Sequence, residues 1–400
     1  MNILLAVTGS ISAYKAYDLL RLLIKDGHTV KIILSSGAQK FIKKETFKYL
    51  GAESVHTSSD DFSGEYKILH IELADWADRF VIAPTSANTI AKLSNASADD
   101  LTSSVFLAFD SQKPIFIFPA MNTKMLTHPF LQENLEKLKK LKNIFLGQTQ
   151  FGELACNHIG EGKLEDINII STIITTYNFK YSAKKILIST GATISALDNV
   201  RFLTNPSSGK TGFQIARKAL ELGYKVDVVA GYGATIELDY LKSLPNFNLI
   251  KVETHSQMRK EILKNIEKYD AYISSAAISD IEFIHTEGKL KKAKLENFLE
   301  IRKTSDILQE VLEVKPDHLR VIGFAAETEL TKEMLKEKLN RKPVDFLVGT
   351  KVNNGHNSHL QGFGDTTPEY LIMESDNFFY EGQLNKKELA NKIFESKLWQ

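Results

Sequence analysis

The sequence predicts an α/β protein built from two doubly wound parallel sheets. Three observations carry this. Short apolar runs alternate with amphipathic stretches in both halves of the chain. Segments rich in Gly, Pro, Ser and Asn follow the apolar runs at their carboxyl ends. A polar stretch, Thr176–Lys184, interrupts the pattern near the middle. Alternation of this kind marks βαβ units with a parallel sheet. At 400 residues the chain has length for two to three domains of roughly 150 residues each. The boundary falls at the polar stretch, giving domains 1–180 and 181–400.

In the first half, Ile3–Val7 reads as a buried strand, followed by Thr8-Gly9-Ser10 and a helix with Ala13, Ala16, Leu20 and Leu23 on one stripe. Lys31–Leu34 is the next strand, before a helix carrying Phe41, Ile42, Phe47 and Leu50. Phe80–Ala83 is a third strand, ending in Pro84–Thr89, and Pro114–Phe118 a fourth, ending in Pro119–Asn122. A lysine-rich helix over Leu131–Leu141 leads to a fifth strand at Ile144–Leu146. Gly152, Cys156, Gly160 and Gly162 then make a segment that reads as mobile, and Ile167–Thr175 a closing helix.

The second half restarts with a strand at Lys185–Ser189 and a long loop to a helix with Phe213, Ala216 and Leu220. Further strands fall at Lys225–Ala230, Asp270–Ser274, Leu319–Gly323 and Asp345–Val348, with a helix marked by Met258, Ile262 and Ile266. Pro368–Glu374 and Asn377–Glu381 read as an edge hairpin, and Lys386–Leu398 as a terminal helix. In such sheets ligands sit beyond the carboxyl ends of the strands. That is where Thr8–Tyr14, Pro84–Thr89 and Pro119–Asn122 lie.

Composition narrows the function classes. The chain is 43% hydrophobic and 25% charged, which excludes a disordered or fibrous protein. Lys+Arg 50 against Asp+Glu 49 leaves +1, which argues against coating nucleic acid or an anionic membrane. No apolar run reaches the roughly 18–20 residues of a membrane span. The start Met1-Asn2-Ile3 lacks the basic residues of a signal peptide, so a cytoplasmic chain is expected. One cysteine, Cys156, excludes an intrachain disulfide and a cysteine-rich metal site.

The common cofactor motifs fail on spacing. Gly209-Lys210-Thr211 looks like the end of a Walker A loop, but the required upstream glycine is Thr204. Gly231-Tyr232-Gly233 fails as a dinucleotide fingerprint at Ile236. Anions must therefore be held by amides, hydroxyls and helix N-termini. Thr8-Gly9-Ser10-Ile11 is placed for a phosphate, or is a tight turn with Ser12 as helix cap. Asn205–Gly212, with two hydroxyls before a helix and a lysine, suits a polyphosphate better than a simple cap. The cluster Lys289, Lys291, Lys292, Lys294, Arg302 and Lys303 either neutralises such a ligand or is a solvated basic face. His70 opens a helix, and a lone histidine there is more often structural than catalytic, with nothing local to overturn that. Cys156, among glycines, Asn157 and His158, reads as a functional thiol ahead of an accident.

Taken together these segments resemble the bacterial bifunctional phosphopantothenoylcysteine decarboxylase / phosphopantothenate–cysteine ligase family of coenzyme A biosynthesis. In the first domain the resemblance rests on Gly9–Lys15, His70 before Ile71-Glu72-Leu73-Ala74, Ala83–Thr89, Pro119–Asn122 and Ala155–Gly162. In the second it rests on Thr190–Thr193, Arg201-Phe202, Asn205, Ser207–Lys210, Ala276-Ala277 with Asp280, Lys289–Lys292, Gly323–Thr328, and Lys338 and Lys342 before Asp345. It implies a flavodoxin-like or Rossmann-like flavoprotein domain followed by a Rossmann-like ligase domain.

For the first domain the resemblance implies FMN along Gly9, Ser10, Ile11, Ser35, Ser86, Ala87 and Asn88, with Met121 at the decarboxylase site. Decarboxylation needs an electron sink that no side chain supplies, and a flavin supplies one. The flavin would oxidise the cysteine end of the substrate to a thioaldehyde, which holds the electrons left as carbon dioxide departs. His70 would be the base, Asn122 would bind the substrate carboxylate, and Cys156 would donate the proton on re-reduction of the enethiol. A thiol on a flap suits that role, because the flap closes over substrate.

For the second domain the resemblance implies CTP-dependent amide formation through an acyl-cytidylate, in which positioning and charge neutralisation do most of the chemistry. Lys289 would support acyl-cytidylate formation and Asn205 the amide step. Ser274, Ser275, Ala276, Asp280, Ser305, Asp306, Ile307, Leu308, Phe324, Lys338 and Lys342 would hold CTP. Mg2+ is expected with the triphosphate, with Asp280 as its candidate ligand. The substrates would be 4'-phosphopantothenate, cysteine and CTP, and the assembly a homo-oligomer, a dodecamer of decarboxylase trimers and ligase dimers. The sequence departs from the family at Ser305, usually proline, at Ile278-Ser279, and at Gly349-Thr350-Lys351. The rival readings are a flavin decarboxylase with a degenerate second domain and a flavin-binding regulatory subunit without turnover.

Overall fold

Between Ile3 and Val7 every residue is apolar and every one is completely buried, as expected of the central strand of a sheet covered on both faces. The computed structural model describes residues 1–62, 68–153, 159–284, 288, 299–352, 367–375 and 377–399. The chain divides into two compact units, Met1–Phe179 and Lys180–Gln400.

In the first unit the elements alternate as the sequence predicts. They are β1 (Asn2–Val7), α1 (Ala16–Lys25), β2 (Thr29–Leu34), α2 (Lys44–Tyr49), β3 (Ser54–Thr57), α3 (Leu69–Trp76), β4 (Arg79–Thr85) and α4 (Ala87–Ser94). Then come α5 (Leu101–Ala108), β5 (Ile115–Pro119), α6 (Thr123–Leu126), α7 (Pro129–Lys139) and β6 (Ile144–Leu146). A hairpin of β7 (Thr149–Glu153) and β8 (Ile159–Leu164) precedes the closing α8 (Ile167–Thr176). The six-stranded sheet has the order β3-β2-β1-β4-β5-β6 with every pairing parallel. That is the Rossmann order, with its topological switch between β1 and β4. One face packs Leu4, Ala6, Phe80 and Ile82 against Leu73, Val105 and Leu135 of α3, α5 and α7. Each such side chain contributes about 1.5–3 kcal/mol by leaving water.

Three expectations change here. The sequence reading has five strands in this sheet, and β3 is a sixth: Ser54-Val55-His56-Thr57 pairs on one edge only, against β2. The glycine-rich segment after β6 contains the antiparallel pair β7–β8, not only irregular chain. The inter-domain stretch also begins later than Thr176. Tyr177 is buried, with Phe116 and Phe145 edge-on to its ring, and its carbonyl accepts from Arg79 Nη1 at 3.0 Å.

The second unit begins with β9 (Lys185–Thr190), a small hairpin of β10 (Ile194–Ala196) and β11 (Phe202–Thr204), α9 (Lys210–Glu221) and β12 (Lys225–Ala230). It continues through α10 (Glu237–Tyr240), β13 (Phe247–Lys251), α11 (His255–Leu263), β14 (Ala271–Ser274), β15 (Ile281–Phe283) and β16 (Ile301–Lys303). It closes with α12 (Ile307–Val314), β17 (Arg320–Glu327), α13 (Lys332–Arg341), β18 (Phe346–Lys351), β19 (Glu369–Glu374), β20 (Asn377–Gln383) and α14 (Lys386–Phe394). The eight-stranded sheet runs β13-β12-β9-β14-β17-β18-β19-β20. Its first six strands are parallel and repeat the topology of the first unit, and the expected hairpin adds two antiparallel strands at the edge. Strand β13 and the two small hairpins, β10–β11 and β15–β16, are additions to the sequence reading. Among the described residues no helix is long and apolar enough to cross a membrane.

Candidate functional site

Each unit carries a cavity at the carboxyl ends of its strands, mixed in character in the first and mainly polar in the second. In the first unit the cavity holds about 680 Å³. Gly9, Ser10 and Ile11 after β1, Ser86 and Ala87 after β4, and Met121 and Asn122 after β5 all line it. Thr8 ties the first two segments together. Its hydroxyl donates to Pro84 O at 2.8 Å and accepts from Ser86 N at 2.8 Å, completely buried. Ser86 caps α4 by accepting from Thr89 N, and Asn122 caps α6 by accepting from Lys124 N at 2.9 Å. The loop after β1 enters a 3-10 turn over Ile11–Lys15 whose cap is Ser10 rather than Ser12, because Ser10 Oγ accepts from Ser12 N. Gly9 meets Gly37 so closely that a Cβ on either would lie 3.0 Å from the other's Cα.

The β7–β8 hairpin reaches the same cavity through Glu153, Gly162 and Lys163. Met121 N donates to Gly162 O at 2.9 Å, and Thr123 Oγ1 donates to Glu161 O at 2.5 Å. Gly162 has φ +129° and its missing Cβ would stand 2.1 Å from Met121 O, so only glycine fits there. Lys15 and Lys163 share the cavity. Burial lowers the Lys15 ammonium below its ordinary pKa and repulsion from Lys163 adds to this, while Asp166 and Glu165 oppose both. An anion in the cavity would relieve that repulsion. The sequence reading gave neither lysine a role of its own; Lys15, the one charge in Gly9–Lys15, was the available signal.

Ser35, Asn88 and His70 are not among the residues lining this cavity. Ser35 Oγ accepts from Ala38 N at 3.2 Å, and Asn88 is exposed on α4. His70, at the start of α3, has Nδ1 at 3.2 and 3.3 Å from the two carboxylate oxygens of Asp61. Cys156 lies outside the described residues.

In the second unit a cavity of about 450 Å³ is lined by Asn205, Ser275, Ala276, Asp280, Phe324 and Lys338 of the sequence-derived set, together with Ser207–Thr211. Asn205 Nδ2 donates to Ala277 O at 3.2 Å and Ile278 O at 3.4 Å, which fixes its carboxamide against the loop after β14. Glu327, at the end of β17, also lines the cavity and is ion-paired with Lys338. Lys342 is ion-paired with Asp306, whose Oδ1 caps α12 by accepting from Gln309 N at 3.1 Å. Ser274, Ser305, Asp306, Ile307, Leu308 and Lys342 do not line the cavity. Ser274 ends β14, one residue before Ser275, while Ile307 is a core side chain, 2% exposed. Lys289, with Lys291, Lys292 and Lys294, lies outside the described residues. Among the described residues no group of three or more His, Cys, Asp or Glu is gathered to hold a metal ion. The cavity does carry two carboxylates, Asp280 and Glu327, which fits a Mg2+ ion held by one or two carboxylates and its phosphates.

Two Rossmann-type units, each with a cavity beyond its strand ends, define a two-unit α/β protein with a candidate site in each unit. Residues 1–178 match the family model described as Flavoprotein, and residues 181–398 match the DNA/pantothenate metabolism flavoprotein C-terminal domain. The coenzyme A biosynthesis bifunctional protein CoaBC of Bacillus subtilis is 35% identical over 402 residues, covering 98% of this chain and 94% of that one. Among solved structures, a PPC decarboxylase mutant complexed with pantothenoylaminoethenethiol covers 43% of this chain and 95% of its own at 32% identity (TM-score 0.41). The C-terminal domain of a CoaBC covers 55% and 96% at 28% identity (TM-score 0.43). The chain belongs to the CoaBC family of bifunctional coenzyme A biosynthesis proteins, an enzyme with a ligase and a decarboxylase activity whose first unit is a flavoprotein.

Proposed function

We propose that residues 1–180 decarboxylate 4'-phosphopantothenoylcysteine to 4'-phosphopantetheine with FMN, and that residues 181–400 make that substrate from 4'-phosphopantothenate, cysteine and CTP. The observation that carries this reading is convergence. In each unit, segments distant in sequence and chosen from the sequence meet around one cavity at the strand ends.

In the first unit the amides and hydroxyls at Gly9–Ile11 and Ser86–Ala87, with Lys15 and Lys163 nearby, suit a flavin phosphate at a switch point. FMN bound there supplies the electron sink and the hydride of the reaction. Asn122, whose Oδ1 accepts from Lys124 N, lines the cavity and is assigned to the substrate carboxylate by the family resemblance. His70 takes the substrate proton, and Cys156 returns one to the product carbon; the Cys156 role rests on the family resemblance. Ile11, Tyr14 and Met125 line the cavity yet remain 55%, 57% and 51% exposed. That exposure, with His70 outside the cavity of its own chain, supports a homo-oligomer in which a second copy completes the site.

In the second unit Ser207–Thr211 and Lys338 suit the phosphates of CTP, with Mg2+ on Asp280. Asn205, whose N–H2 is anchored on Ala277 O, has its carbonyl oxygen to accept from the amine of cysteine as the amide forms. Ser305–Leu308 and Lys342 would act through the start of α12 after Lys342 leaves Asp306. Lys289 is assigned to acyl-cytidylate formation by the resemblance.

The test supplies the full chain with 4'-phosphopantothenate, CTP, Mg2+ and cysteine and follows CMP, carbon dioxide and 4'-phosphopantetheine together. Omission of CTP should abolish all three. The cysteine adduct without carbon dioxide would leave only the ligase half standing, and ATP serving as well as CTP would remove the nucleotide assignment.

A further inference from the structure

Two aspartates stand side by side in the turn after β3, and their surroundings separate them. Asp60 closes the turn: Oδ2 accepts from Thr57 N at 2.7 Å and Thr57 Oγ1 at 3.2 Å, and pairs with Lys44 at 3.2 Å. Asp61 does none of this. Its side chain is only 10% exposed, and among the described residues its hydrogen-bond partners all belong to His70. Oδ1 accepts from His70 N at 3.3 Å, and both oxygens face Nδ1 of the ring at 3.3 and 3.2 Å. Among the described residues Nε2 of His70 has no hydrogen-bond partner, and the ring is 32% exposed.

An ionised carboxylate only accepts, so it selects the hydrogen on Nδ1, which in the neutral ring leaves the lone pair on Nε2. The backbone bond from His70 N fixes the same carboxylate to the first turn of α3, so ring and carboxylate are oriented as one piece. Burial of Asp61 strengthens its attraction for the imidazolium that forms when Nε2 takes a proton. A ring held this way is a base at one defined nitrogen.

We propose that Asp61 is a positioning residue for the decarboxylase half. It fixes the His70 tautomer with Nε2 as the proton acceptor and stabilises the charged ring once the substrate proton has moved there. This rests on the reading of the first unit as the decarboxylase. Asp61 touches the ring and not the substrate, so its effect falls on kcat rather than on KM.

The test compares the full chain with Asp61→Asn, Asp61→Glu and His70→Asn, each assayed with supplied 4'-phosphopantothenoylcysteine. Bound flavin, read from its absorbance, and CTP-dependent ligation are measured in the same preparations. Asp61→Asn should lower kcat for decarboxylation by about 10- to 100-fold, the usual loss for an outer partner of a functional histidine. KM, flavin content and ligation should stay near those of the unaltered chain. Asp61→Glu, which restores an acceptor-only carboxylate, should recover a substantial part of kcat. Full activity in Asp61→Asn would overturn the proposal while leaving the decarboxylase reading intact. Equal loss in the Asn and Glu variants together with loss of flavin would overturn it in favour of a purely structural aspartate. An unaltered chain that releases no carbon dioxide would instead overturn the decarboxylase reading itself.

Discussion

The ammonium of Lys338 is ion-paired with the carboxylate of Glu327, and both side chains line the cavity of the second unit. A triphosphate drawing on Lys338 must therefore displace Glu327. Both side chains are part-exposed, at 34% and 25%, so the pair is worth about 0–1 kcal/mol. Glu327→Gln should lower the KM for CTP by at most about fivefold, whereas Lys338→Gln should raise it. Steady-state ligation at varied CTP measures both; a raised KM in Glu327→Gln would mean that this carboxylate holds the metal rather than competing for the lysine.

Asp306 serves two neighbours at once, capping α12 and pairing with Lys342. The two roles separate by substitution. Asp306→Ala should cost about 0.5–2 kcal/mol through loss of the cap. Asp306→Ser retains the cap and releases Lys342, so thermal unfolding should stay close to that of the unaltered chain while CTP binding changes. Equal destabilisation by both variants would show that the ion pair, not the cap, carries the stability.

Gly162 closes the contact between the β7–β8 hairpin and the loop at Met121. Gly162→Ala adds a Cβ against a carbonyl and strains a positive φ, each costing on the order of 1–3 kcal/mol. Decarboxylation should fall at least tenfold, with reduced flavin retention and a lower unfolding midpoint. Normal flavin content and turnover in this variant would show that the hairpin can shift without consequence.

His56 is buried in β3, with Nε2 at 2.7 Å from Ser54 Oγ. Desolvation lowers its pKa first, Lys31 and Lys44 lower it further, and Asp60 opposes them. A histidine with a depressed folded pKa stabilises fully above its unfolded value, near 6.5, and that stability is lost as pH falls through the folded pKa. Unfolding midpoints should therefore drop on acidification below about pH 6.5, with a shallower slope in His56→Gln. Identical slopes would remove His56 from the acid sensitivity of this unit.

The central strands were legible because β1, β4 and β5 are buried on both faces and read as unbroken apolar runs. Edge strands β3 and β13 were not. Ser54-Val55-His56-Thr57 and Phe247-Asn248-Leu249-Ile250-Lys251 each pair on one side only and keep polar residues, so they resemble loop. The cavities were legible in outline because sheet topology forces segments after β1, β4 and β5 to one end. Pairings within them were not. Asp61 meets His70 across nine residues and Glu327, ending β17, meets Lys338 in α13 across eleven, distances on which residue type is silent. Glycines 152, 160 and 162 suggested mobility, whereas two of them sit where a side chain would strike Met121 or Thr123.

The contact between Gly9 and Gly37 joins the loop after β1 to the loop after β2, backbone against backbone. Neither loop can take on a side chain at that point without pushing the other, so a change in one has to be matched in its neighbour. Gly9 also lines the flavoprotein cavity, so this part of its wall is backed by the backbone of the loop after β2. Freedom given up there during folding would not have to be given up again if a ligand seats on Gly9–Ile11. Calorimetry on the full chain would then register little ordering of the protein as flavin binds.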